Sequence, residues 1–164
     1  PCVTMKPYVA PWMPCPVPMT GSWSWSVALV GTLYALAPTA VIFGKHVDKL
    51  EFDAAKGVRT LPVRLGELRS LRWIKVMTWL QYLSLPPLVL AGWLPVSIAI
   101  VVLALPAAWR LLQVCSEPAP DEAPEGYPAS AWPLWYVAFA FAHARSYGLL
   151  FLLGLLLAWP LQWF

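Results

Sequence analysis

Three long stretches of the chain carry no charged side chain. Residues 7–44, 76–109 and 146–164 contain neither Asp, Glu, Lys nor Arg. A bilayer core requires roughly 20 apolar residues per helix. The first and third stretches are therefore each long enough for one span, and the second, which is interrupted at "GWLP", is long enough for two. We predict four membrane-spanning helices, at residues 23–44, 73–94, 96–114 and 146–163.

Two segments outside these spans have a distinct character. Residues 1–22 include "PYVAPWMPCPVPMTG", and because its prolines lack N–H donors and clash with a preceding helical turn, we expect an extended loop. Residues 131–142, "AWPLWYVAFAFA", are too short to cross a bilayer, and their Trp and Tyr side chains suit the headgroup level. We expect an interfacial or half-inserted helix there, leading from the polar, Pro-rich loop "SEPAPDEAPEGYPAS" into the last span.

The composition supports this membrane assignment. Of the 164 residues, 60% are hydrophobic and only 12% are charged, and the mean hydropathy is +0.64, which is outside the soluble globular range. We predict an all-α, polytopic membrane helix bundle surrounded by a lipid bilayer, without a nucleic-acid partner.

The cysteines, Cys2, Cys15 and Cys115, have no CxxC spacing and indicate neither a disulfide framework nor a thiolate metal site. Because the chain opens on Pro1 without a signal-peptide pattern, we expect a piece of a longer membrane protein.

The distribution of basic residues predicts the orientation. Eight of the eleven Lys and Arg residues lie either between the first two predicted spans or in the first turn of the second, namely Lys45, Lys49, Lys56, Arg59, Arg64, Arg69, Arg72 and Lys75. Loops rich in Lys and Arg face the cytoplasm, so we expect residues 45–75 to be cytoplasmic, with a motif loop at residues 45–72 inside a bundle that extends over residues 23–164. Arg110, two crossings later, falls on the same side. Both chain ends, including the loop at residues 1–22, should then be non-cytoplasmic.

The basic loop contains an ordered succession of residue types in "KHVDKLEFDAAKGVRTLPVRLGE", residues 45–67. In one interpretation the loop only anchors the topology, and its acids pair along a helix, Lys49 with Asp53 and Lys45 with Asp48. A second interpretation rests on the order of the parts. Acids at short helical spacing precede a Gly that can end a helix, then the turn "VRT", then a Pro that prevents the helix from resuming. That order predicts carboxylates beside a cationic loop at the membrane surface.

Such an arrangement suits the binding of a diphosphate. Carboxylates do not bind a diphosphate directly, but they hold Mg²⁺, which bridges a few carboxylates to substrate phosphates while it keeps several waters. Nearby Lys and Arg side chains neutralise the charge that develops on the leaving group. At the mouth of an apolar helix bundle, these groups provide a polar head site and an apolar tail site together. We therefore expect an isoprenyl diphosphate as substrate.

The stretch "DKLEFDAAKGVRTLPVRLGE", residues 48–67, resembles the second Asp-rich motif of the UbiA-type intramembrane prenyltransferases, in which acids precede a "G-x-x-T-L-P-V-x-L-G" tail. The resemblance implies nine spans, two Asp-rich motifs that bind Mg²⁺ and prenyl diphosphate, and prenyl transfer to an aromatic or other lipophilic acceptor in quinone or related lipid biosynthesis. The chain would be the C-terminal part of that fold. The family's first Asp-rich motif is absent here, so the missing N-terminal half would have to supply it.

The resemblance also implies roles for individual residues. It assigns the metal to Asp48, Glu51 and Asp53, with Asp48 and Asp53 as the catalytic acids, and the departing diphosphate to Lys56, Arg59 and Arg64. The family's usual pair is Asp-x-x-x-Asp, but the residue four before Asp53 is Lys49. Either Asp48 and Glu51 form the neighbouring pair, or a one-residue π-bulge brings Asp48 and Asp53 onto one face.

Two other classes of function compete with an Mg-dependent prenyltransferase. A non-catalytic membrane subunit or fragment would use the basic loop only to anchor to anionic lipid. A transporter segment would be expected to carry a polar residue or a broken helix at mid-membrane, and only Pro38, Pro86 and Pro87 point that way.

The remaining ionisable residues near apolar segments receive structural interpretations. We expect His143 and Arg145 to lie at the cytoplasmic end of the last span and to extend their polar ends to the interface. We expect His46 to be a surface residue of the charged loop.

Overall fold

The computed structural model describes residues 25–128 and 131–158, which form six α-helices and one 3₁₀ segment. The predicted loop at residues 1–22 lies outside these ranges. No strand occurs within them, so the all-α class is confirmed. In chain order the helices are α1 (Trp25–Asp48), α2 (Leu50–Ala55), α3 (Leu61–Leu65), α4 (Glu67–Leu90), α5 (Leu105–Val114) and α6 (Tyr136–Ala158), with the 3₁₀ segment Val96–Ala104 running directly into α5.

The last helix, α6, lies at the centre of the bundle. It packs against α1, the 3₁₀ segment and α5, while α1 also packs along α4. One apolar core, around Ile98, Val101 and Tyr147, joins the 3₁₀ segment to α6. A second, around Ile74 and Ala140, joins α4 to α6 near the charged loop. Large apolar side chains such as Leu90 remain exposed, as expected for helices whose outer faces contact lipid tails.

Within the part of the chain that the structure describes, three segments are long and apolar enough to cross a membrane: Trp25–Asp48, Val96–Val114 and Tyr136–Ala158. They cover three of the four predicted spans, and the chain is therefore a polytopic helical membrane protein. Most of the remaining predicted span, residues 73–94, lies in α4, where the polar residues Lys75, Thr78 and Gln81 interrupt the apolar sequence. This helix is not among the three.

The start of the last span differs from the prediction. Residues 131–142 do not form a separate interfacial helix, because α6 begins at Tyr136 and continues without a break to Ala158. Residues 131–135 form a turn that contains Pro133, and no proline follows until after the helix has ended. The predicted span at residues 146–163 is therefore the second part of a longer helix, and its last five positions lie outside the described residues.

A close approach between α6 and the 3₁₀ segment gives a test of this packing. A Cβ placed on Gly154 would lie 2.9 Å from Ile98 Cα, and the Ser97 hydroxyl donates to the Gly154 carbonyl over 2.6 Å. We expect Gly154→Ala to destabilise the bundle by about 1–3 kcal/mol, because backbone must move to admit the methyl group. The measurement is the midpoint of thermal unfolding in detergent.

The matched control for this substitution is Gly31→Ala. Gly31 is also helical, but a Cβ there would meet nothing within 4 Å, so we expect no loss of stability. Equal midpoints for the two variants would show that α6 does not pack against the 3₁₀ segment in this way.

Candidate active site

The acidic and basic site residues identified from the sequence lie in one connection between α1 and α4, except Asp48, which is the last residue of α1. We call residues 49–66 the motif segment. Its first helix, α2, is followed by Gly57 with φ of 70°, a conformation that favours glycine. The Thr60 hydroxyl then accepts the Val63 N–H over 3.4 Å at the start of α3, and Gly66 with φ of 81° ends that helix. The helix end and the turn that the sequence predicts are therefore present, but Pro62 does not prevent the helix from resuming, because it lies in the first turn of α3, where its missing N–H costs no hydrogen bond.

Asp48, the last residue of α1, is bound to the start of α6. Its Oδ1 accepts the Tyr136 N–H and its Oδ2 accepts the Val137 N–H, each over 2.9 Å. Gly44, one turn earlier, permits this approach, since a Cβ there would lie 3.0 Å from Val137 N. Both carboxylate oxygens of Asp48 are thus used to satisfy backbone donors of another helix.

Asp53 has a different partner. Its Oδ2 lies 2.9 Å from His46 Nδ1, and its side chain is 14% exposed. The described part of the chain contains neither of the two predicted ion pairs, Lys49 with Asp53 and Lys45 with Asp48. His46, which the sequence predicts as a surface residue of the charged loop, lies in α1 and is half-buried in this contact. The break of the helix at Lys49 changes which side chains face one another.

The three predicted metal ligands do not converge. Asp48 faces α6, Asp53 contacts His46, and Glu51 is exposed on α2. Within residues 25–128 and 131–158, no group of three His, Cys, Asp or Glu side chains is close enough to hold a metal ion. The contacts of Asp48 and Asp53 include neither of the two carboxylate pairings that were predicted, Asp48 with Glu51 and Asp48 with Asp53.

The three predicted diphosphate-binding cations are all exposed on the motif segment. The Lys56 ammonium lies 4.1 Å from the centre of the Phe52 ring. Arg59, in the turn after Gly57, and Arg64, in α3, form no ion pair with any carboxylate of the described residues. All three positive charges therefore remain available to an anionic ligand.

Comparison with known proteins decides the family. The family model described as "UbiA prenyltransferase family" matches residues 7–127, a range that includes α1, the motif segment, α4 and α5. The chain belongs to the UbiA prenyltransferase family. A search of curated proteins and a search of solved structures each found no match. Membership implies a membrane-embedded prenyltransferase, and the family is in general Mg²⁺-dependent.

The structure also shows a buried polar cluster in this UbiA-family chain that the sequence did not predict. His143 is fully buried in α6, and its Nε2 lies 3.2 Å from the Tyr82 hydroxyl of α4. Its neighbours include the rings of Tyr82 and Tyr147. The prediction that His143 extends to the interface is wrong, because α6 starts at Tyr136 and places this residue about two turns inside the helix. Arg145 is exposed.

Proposed function

We propose that this chain contributes the second acidic motif of an enzyme that transfers a prenyl group from a polyprenyl diphosphate to an aromatic or other lipophilic acceptor, as in quinone or related lipid biosynthesis. The observation that carries the proposal is the motif segment itself. Three exposed cations without carboxylate partners stand beside two acids, at the end of a membrane-spanning helix. An amphiphile with an anionic head and an apolar tail matches both parts of this surface.

The acids available to Mg²⁺ are Glu51 and Asp53. Mg²⁺ is usually held by one or two carboxylates together with substrate phosphates and water, so either residue could contribute one ligand, but the two are at i and i+2 of α2 and do not face each other. Asp48 fits less well, since both of its oxygens already accept backbone N–H groups. Mg²⁺, when bound with the substrate, would neutralise part of the diphosphate charge. We propose that acids from an upstream part of the family fold complete the site.

The cations act on the leaving group. As the allylic carbon–oxygen bond breaks, both bonding electrons go to the diphosphate, and Lys56, Arg59 and Arg64 would stabilise the added charge. The acceptor then forms a bond to the allylic carbon and loses a proton. This mechanism is electrostatic and requires no covalent intermediate with the protein.

We also propose that residues 45–75 face the cytoplasm. A variant with Arg59→Cys, and with Cys2 and Cys15 replaced by Ser, should react with a membrane-impermeant maleimide only after the cells are opened. The native Cys115 is a suitable silent background, because burial raises the pKa of its thiol to about 12 and a protonated thiol reacts slowly. Labelling of intact cells from outside would reverse the proposed orientation.

Binding of a prenyl diphosphate tests the proposed function directly. We expect the purified chain in detergent to bind a geranylgeranyl diphosphate analogue weakly, and to bind it less well after Mg²⁺ is chelated. The control ligand is the corresponding prenyl alcohol, which has the tail but no diphosphate. Equal affinity for the two ligands, with or without Mg²⁺, would mean that only the tail is recognised, and the basic loop would then be better explained as a lipid anchor.

A further inference from the structure

The two residues that flank the motif segment, Asp48 and Glu67, are both hydrogen-bonded to one buried residue of α6, Tyr136. At the upstream end, its backbone N–H donates to Asp48, and at the downstream end its hydroxyl donates to Glu67 Oε1 over 3.3 Å. The same hydroxyl also donates to the Glu117 carbonyl oxygen over 3.2 Å, so its one proton is shared between the two acceptors. Tyr136 is only 2% exposed. A single residue, Tyr136, therefore contacts both neighbours of the motif segment, one through its backbone N–H and the other through its side-chain hydroxyl.

The contact between Asp48 and α6 has the chemistry of a helix cap. The first N–H groups of a helix have no partner within the helix, and a carboxylate that accepts them also interacts favourably with the positive end of the helix dipole. Here the carboxylate comes from a residue 88 positions earlier in the chain. No residue between Ala131 and Trp135 supplies an Asp, Asn, Ser or Thr for this purpose.

We propose that Asp48, Tyr136 and Glu67 form a clasp that positions the motif segment, and that Asp48 acts as a positioning residue through this clasp and not as a metal ligand. The clasp holds the upstream end through the Asp48 carboxylate and the downstream end through the Tyr136 hydroxyl. The substrate that the segment receives rests on the proposed function, but the clasp does not, and its effect on the order of the motif segment is tested without substrate.

Limited trypsin digestion measures the order of the segment, because Lys56, Arg59 and Arg64 are native cleavage sites inside it. In the purified chain, we expect Asp48→Ala to speed cleavage at Lys56 by about fivefold or more. Asp48→Asn should cleave at a rate between those of the wild type and Asp48→Ala, since its one amide oxygen can replace only one of the two carboxylate oxygens that accept N–H groups of α6. Tyr136→Phe keeps the backbone N–H that Asp48 accepts and loses the hydroxyl that contacts Glu67. In this variant, the rate of trypsin cleavage should therefore rise more at Arg64 than at Lys56.

The Mg²⁺ dependence of prenyl transfer by the full-length protein separates the clasp from metal binding. Asp48→Asn should leave the Mg²⁺ concentration for half-maximal activity within about twofold of wild type, whereas Asp53→Asn should raise it at least about tenfold. Two results together would refute the clasp. In the first, Asp48→Asn raises the half-maximal Mg²⁺ concentration as much as Asp53→Asn does. In the second, trypsin digests both Asp48 variants and Tyr136→Phe at the wild-type rate. Should Asp48→Ala fail to insert, the Asn and Phe variants still decide the matter. A wild-type chain that binds no prenyl diphosphate would refute the proposed function and leave the digestion result unaffected.

Discussion

Replacing Asp53 by Asn in the full-length protein should lower prenyl-transfer turnover by at least about a hundredfold and leave membrane insertion unchanged. The amide has the shape of the carboxylate and can still accept a hydrogen bond from His46, whose Nδ1 lies 2.9 Å from Asp53 Oδ2. It lacks the negative charge that Mg²⁺ requires. Transfer of a radiolabelled prenyl group from its diphosphate, measured over a range of Mg²⁺ concentrations, provides the test.

Asp121→Asn is the matched control for this substitution. Asp121 is exposed in the loop between α5 and α6, so its replacement removes the same charge from the chain without touching the motif segment. We expect wild-type turnover for this variant. Wild-type turnover for Asp53→Asn as well, at saturating Mg²⁺, would mean that Asp53 does not hold the metal.

Local structure in the motif segment could be predicted because the residues that determine it are close together in sequence. Gly57 ends α2 in a conformation with positive φ, as the sequence predicts. The short helix α3, which Thr60 caps, was not predicted, because Pro62 was expected to prevent a helix there. These signals act over one turn of backbone and do not depend on the rest of the fold. The membrane spans were predictable for a similar reason, since long apolar runs require no tertiary information.

The contacts of the acids could not be predicted in this way. Asp48 accepts hydrogen bonds from residues 88 and 89 positions later, and nothing in the motif indicates that α6 starts beside it. Asp53 pairs with His46 across the break at Lys49, whereas helical spacing predicted a partner on the same continuous helix. The metal site that the resemblance implies therefore includes one carboxylate, Asp48, whose two oxygens already accept backbone hydrogen bonds.

The error at His143 has the same origin. The sequence prediction started the last span at residue 146, which placed this histidine at a helix end where its ring could reach the interface. Because Asp48 satisfies the first donors of α6, that helix can begin at Tyr136, and His143 becomes part of the buried contact with α4. The position of one cap thus changes the environment of a residue two turns away.

The double substitution Arg59→Gln and Arg64→Gln should weaken binding of a prenyl diphosphate analogue by at least about tenfold. A hydrogen bond to a charged group contributes about 1.5–3 kcal/mol, and each 1.4 kcal/mol corresponds to about a factor of ten in affinity. Both guanidinium groups are exposed and lack a carboxylate partner among the described residues, so little else in the protein should change with them.

The matched control is the double substitution Arg69→Gln and Arg72→Gln at two exposed residues of α4. It removes the same net charge and should leave affinity within about twofold, because neither residue belongs to the motif segment. An equal loss in the two double variants would indicate a general electrostatic attraction to the basic loop, and no loss in either would remove Arg59 and Arg64 from the diphosphate site.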